Sequence, residues 1–220
     1  MPLWSRLQKR SKSRNKILRK GLLMKSLNKK EMSTRTLVLS ALMTALVVIL
    51  QLLGTYTTFF GPFSTALALI PIVIGAALCG VGIGAWLGFV FGGVVLLSGG
   101  AALFWAFDVP GTIITVLLKG MACGAAAGVV YKLLKKKNEI VAAVVAAVVC
   151  PVVNTSVFLL GSAVFFLDSA KDIAALLKMN VSGMALFWAL AMGNFLFEVG
   201  MNLVLSPVIV RLINIRKRAA

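Results

Sequence analysis

Residues 183–207 read GMALFWALAMGNFLFEVGMNLVLSP, an apolar run interrupted near its middle by one carboxylate, Glu198. About 20 apolar residues span a bilayer core of ~30 Å. An ionisable side chain at that depth is costly to hold, which makes Glu198 a candidate functional residue. Asn194, Glu198 and Asn202 are spaced four apart, so they share one helix face. Lys119 is the other ionisable residue that interrupts an apolar run.

The rest of the chain has the same character. Of its 220 residues, 60% are hydrophobic and 13% charged, against about a quarter charged in soluble domains. The expectation is an all-α integral membrane protein. Its spans fall at about 36–55, 65–78, 82–97, 111–131, 140–167 and 183–210, in one membrane domain covering 36–220. Residues 1–35 hold 12 of the 23 Lys and Arg and one acid, Glu31, so most of the +17 net charge sits there. Beside a membrane span, such a basic segment reads as a cytoplasmic anchor against anionic lipid and not as a nucleic-acid contact. Met32 opens a second start, MSTRTLVLSALM, so residues 1–31 read as an extension or a start-site artefact. No cleavage-site pattern follows the first apolar run, which argues against a signal peptide.

Orientation follows from the basic residues. The N-terminus, Lys132–Lys137 and Arg211–Arg218 follow zero, four and six spans, so one topology puts all three in the cytoplasm. The opposite loops hold only Lys171 and Lys178 as basic residues, beside Asp108, Asp168 and Asp172. Six spans with both termini inside is the resulting expectation. Gly80, Gly84, Gly88 and Gly92 on the third span and Gly120, Gly124 and Gly128 on the fourth repeat every four residues. Such ridges let helix backbones approach closely, here within the bundle.

Depth can be counted from the cytoplasmic anchors at ~1.5 Å per residue. Lys119 lies 13 residues from Lys132 and Glu198 lies 13 from Arg211, each ~20 Å above the inner interface. Asn154, 15 residues from Glu139, comes to ~22 Å, and Gln51, 16 from Arg35, to ~24 Å. Four helices thus supply polar groups to one slab in the outer half of the membrane. Two readings stay open: a structural ion pair of Lys119 with Glu198, or an outward-facing solute pocket of Lys119, Glu198, Asn154, Asn194 and Gln51. Lys119 would suit a carboxylate or phosphate on the solute, and Glu198 an amine or hydroxyl. Phe60, Phe63 and Trp105, with Phe59, Phe104 and Phe107, are aromatics that could close over a flat ring. The competing reading is interfacial anchoring.

In span number and order the chain resembles the substrate-binding S component of energy-coupling factor (ECF) vitamin importers. The resemblance covers residues 33–215. It rests on six spans, on Ala41 and Ala45 in the first, on FGPFSTALALIPIVIGAALCG (60–80) and on NFLFEVGMNLVLSPVIVRLI (194–213). It implies an S-component-like bundle in a bacterial cell membrane that binds a vitamin or related micronutrient from outside. It implies docking on a transmembrane coupling subunit, the T component, driven by two ATPase subunits, with Ala41 and Ala45 at the contact. Pantothenate, a pyridoxine-like ring, a flavin or a queuosine precursor would each fit loosely. The family's nickel and cobalt members use an N-terminal histidine, and this chain has none. No cofactor or metal is expected, since the three cysteines lack ligand spacing. The absence of a Walker motif means that ATP hydrolysis would belong to partners and that the chain is not itself an enzyme. The alternative is an autonomous secondary transporter for a small polar solute, which would often show internal repeats; none is evident between the halves.

Overall fold

The structure, a computed structural model, describes residues 34–56, 66–181 and 183–218, without the side chains of Tyr56, Ala66 and residues 212–218. The chain divides into two units, Met1–Val38 and Leu39–Ala220. Of the first unit only residues 34–38 are described, as the start of a helix.

Among the described residues there are eight helices and no strand. They are α1 (Thr34–Tyr56), α2 (Ala66–Cys79), α3 (Val81–Leu97), α4 (Ala102–Trp105), α5 (Val109–Leu134), α6 (Glu139–Phe165), α7 (Ala170–Leu176) and α8 (Met184–Arg218). The sequence explains where several of them start. Asp108 caps α5, accepting from the Gly111 N–H at 3.2 Å, and Pro110 stands in the first turn, where its missing N–H is harmless. Asn138 caps α6, its Oδ1 accepting from the N–H groups of Ile140 and Val141.

Four helices, α1, α5, α6 and α8, are long and apolar enough to cross a membrane. α2 and α3, with 14 and 17 residues, are apolar but shorter, about 21 and 25 Å long. A multi-pass membrane protein follows from the four long helices alone. One residue, Gly80, joins α2 to α3. Its φ of 97° and ψ of 175° lie in a region open essentially to glycine alone. Gly80 is therefore a turn residue, not the first member of the α3 glycine ridge.

The other glycines of that ridge do form a seam. α3 runs against α5, with Gly84 facing Gly124, Gly88 facing Gly120, and Gly92 facing Val116. A β-carbon added to Gly88 would land on the Gly120 carbonyl oxygen, and one added to Gly92 would sit 2.8 Å from that of Val116. Farther along, one on Gly128 would meet the Val81 backbone at 2.8 Å. The ridge is intramolecular.

Two apolar cores flank the middle of the bundle. The larger joins Met43 and Val47 of α1 to Leu69, Ile72, Leu87, Phe91, Cys123 and Cys150 on the helices that follow. The smaller packs Phe166, Ile173, Leu186 and Phe187, with Phe104 and Phe158 against it. α4 and α7 are the short elements beside this second core.

Candidate functional site

Between the two cores, on α6 and α8, lies a polar cluster. Glu198 is fully buried and Asn154 is 4% exposed. The Glu198 carboxylate accepts from Asn154 Nδ2 at 3.4 Å on one oxygen and from Asn194 Nδ2 at 2.8 Å on the other. The second bond follows from helix geometry, since Asn194 precedes Glu198 by one turn. The first needs α6 to present Asn154 at the depth of Glu198 on α8. A carboxylate held by amide donors on both oxygens is fixed in place and stays an acceptor.

Lys119, on α5, is half-buried, with its ammonium 5.5 Å from the centre of the Phe158 ring. That is cation–π range. Among the described residues no hydrogen bond joins it to Glu198. Phe158 meets Phe104 edge-on at 5.6 Å between ring centres, and Phe104 lies 5.0 Å from Phe166. The cation thus sits between a buried anion and the edge of an aromatic cluster.

Further polar atoms are buried without a hydrogen-bond partner. Among the described residues they are Thr115 Oγ1, Ser162 Oγ, Asn154 Oδ1 and both amide atoms of Asn202 on α5, α6 and α8, and Gln51 Oε1 on α1. Thr115 stands one turn above Lys119 on α5 and packs against Gly161 of α6, next to Ser162. Asn202 stands one turn below Glu198. Buried polar atoms are nearly always partnered, so such a concentration on three neighbouring helices needs an explanation beyond packing.

The structure brings Asn154, Asn194 and Glu198 into contact and sets Lys119 in their field. It takes Gln51 elsewhere. Gln51 is buried, but its amide donates to Thr55 at 3.4 Å, and Thr55 shares a hydrogen bond of 3.1 Å with Ser98 after α3. Trp105 is 37% exposed, whereas its neighbour Phe104 reaches the cluster. Phe59, Phe60 and Phe63 lie outside the described residues. Sequence reasoning missed Phe158, Thr115 and Ser162. Thr115 and Phe158 lie four residues from Lys119 and Asn154, and Ser162 lies four beyond Phe158, so extending the stripe by one turn on α5 and two on α6 would have found them.

Helical bundles of this kind serve many functions, and comparison with known proteins narrows the field. The family model for the ECF transporter substrate-specific component matches residues 35–210. The chain belongs to that family. ECF substrate-specific components are substrate-binding transporter subunits and not enzymes. Neither the curated proteins nor the solved structures contain a match to this ECF component. Among the described residues there is no group of three His, Cys, Asp or Glu side chains that could hold a metal ion.

Proposed function

We propose that this ECF component captures one small water-soluble vitamin, or a related micronutrient, from outside a bacterial cell membrane. It hands that solute to a separate ATP-driven coupling module. The observation that carries the reading is the cluster itself: Lys119, Asn154, Asn194 and Glu198 on three helices, next to unpartnered hydroxyls and amides and an aromatic edge. A purely structural ion pair would join Lys119 to Glu198 and leave little over. Here Glu198 is occupied by amides, and the ammonium is directed to a ring. Lys119 then takes an anionic or carbonyl group of the solute, while Thr115 and Ser162 exchange hydrogen bonds with its hydroxyls. Glu198 holds the amide donors in place.

In this reading α1, α2, α3, α5, α6 and α8 all cross the membrane, with both termini cytoplasmic. The basic residues after α5 and in α8 support that orientation. The coupling subunit docks on α1, where Ala41 and Ala45 are exposed on the face opposite the buried Ser40, Met43, Val47 and Gln51. Small exposed side chains let another helix approach closely. Two ATPase subunits complete the assembly.

The test is calorimetry on the full chain purified in detergent, titrated with a panel of vitamins. Saturable binding of one compound, together with co-purification of a coupling subunit and ATPases, is the expected result. Uptake of a solute by the chain alone in proteoliposomes, without ATP, would establish the autonomous transporter instead.

A further inference from the structure

At the far end of the glycine seam, the α2–α3 turn and the end of α5 enclose a cavity of about 310 Å³. Its floor is made of small apolar groups, among them Ala76, Ala77 and Gly128, and its rim carries Lys132 and Lys135. Lys132 in the last turn of α5 and Lys135 at its C-cap are three apart, so both reach the same side, and both are exposed. Gly80 and Val81, also in the lining, are the start of α3. That end has no side-chain cap and no acid in its first turn. Its free N–H groups can donate to an anion, while the C-terminal ends of α2 and α5 in the same lining carry the opposite dipole sign, so the net positive charge of the site comes from the lysines. Tyr131 closes the wall, its hydroxyl donating to Glu139 at 2.8 Å. Glu139 is not itself in the lining.

We propose that this cavity binds the headgroup of an anionic phospholipid. The phosphate sits between Lys132, Lys135 and the start of α3, and the glycerol lies on the floor. Two observations favour a lipid over a soluble phosphate. The cavity has an apolar floor, which a bare phosphate would not use. About a third of a turn round α5 from the lining residues, Val129 is 43% and Leu133 68% exposed, an apolar strip that acyl chains leaving the site can reach. Basic pockets between membrane helices near the cytoplasmic surface recognise such headgroups. The site shares no residue with the polar cluster, so it stands or falls independently of the solute reading.

The experiment titrates the detergent-purified full chain with short-chain phosphatidylglycerol, phosphatidylcholine and inorganic phosphate, read by native mass spectrometry. Phosphatidylglycerol should bind, and Lys132→Gln with Lys135→Gln should weaken it about thirtyfold. Lys136→Gln with Lys137→Gln removes the same charge outside the lining and should weaken it less than about threefold. Ala77→Phe fills the floor and should weaken binding with every lysine kept. Equal losses in the two charge pairs would mean a diffuse surface effect and overturn the proposal. Phosphatidylcholine binding as tightly, or inorganic phosphate competing at the same concentration, would overturn it as well.

Discussion

On the side of α5 that meets α3, Gly120 and Gly124 lie against the backbone of Gly88 and Gly84; on the side that meets α6, Thr115 packs on Gly161 and Lys119 reaches Phe158. The first contact is backbone on backbone, and neither side chains nor water fit. The second contains charge, hydroxyls and aromatic rings, and several of its polar atoms have no protein partner. One helix therefore supplies both the tightest packing of the bundle and part of its most polar region. In lipid, helices associate through close packing as much as through apolar character, because the surrounding tails are apolar too. The glycine seam fixes α5 so that its other side can carry groups chosen for chemistry.

The largest effect should come from breaking the seam. Gly88→Leu would drive side-chain carbons into the Gly120 carbonyl, and neither backbone can move without the other. A loss of about 3 kcal/mol or more is expected, seen as aggregation or a collapsed melting temperature in detergent. A monodisperse variant with unchanged melting would mean that the seam is far looser than described. Next, Glu198→Ala removes the acceptor of two amides, the buried Asn154 and the half-buried Asn194, and should cost about 2–3 kcal/mol. Glu198→Gln keeps one acceptor oxygen and puts a donor in place of the other, so it should restore one of the two hydrogen bonds and about half of the loss. Failure of Gln to do so would mean that the negative charge, not the hydrogen bonds, holds the cluster together.

The polar side should otherwise respond in binding more than in folding. Lys119→Met combined with Glu198→Gln removes both charges, so no uncompensated ion is left buried. That double variant should fold and bind the solute at least about tenfold more weakly in calorimetry. Full affinity would make the two residues purely structural. The smallest change is expected at the aromatic edge, where Trp105→Ala should alter affinity by less than about twofold and Phe104→Ala by more. Equal effects would show that the exposed ring also reaches the solute.

Much of this was legible in the sequence, for identifiable reasons. Helix starts at Asp108 and Asn138 coincide with residues that cap and with Pro110, so local chemistry marked them. The contact of Asn194 with Glu198 is a one-turn spacing, readable from the chain. That Asn154 and Glu198 lie at one level came from counting depth along two helices, which needs only the rise per residue. Depth says nothing about rotation, however. Gln51 lies at a similar count but turns toward Thr55 and Ser98, and only packing decides that. The choice between Phe104 and Trp105 was not legible either, because four residues of α4 are too few to show a period. Gly80 fell on the four-residue repeat of the ridge by spacing alone, while its backbone makes it a turn.

The shortness of α3 has a consequence for the lipid around the protein. In the proposed six-crossing arrangement, a helix of 17 residues and about 25 Å stands beside α5, with 26 residues and a length of about 39 Å. The apolar belt then has unequal height around its circumference. Acyl chains next to α3 must shorten or splay, or the whole body must lean until the mismatch is shared. Bilayer thickness thereby becomes a control on the angle at which the bundle stands. Lipids of shorter chain would favour one tilt and lipids of longer chain another, with no change in any contact inside the protein.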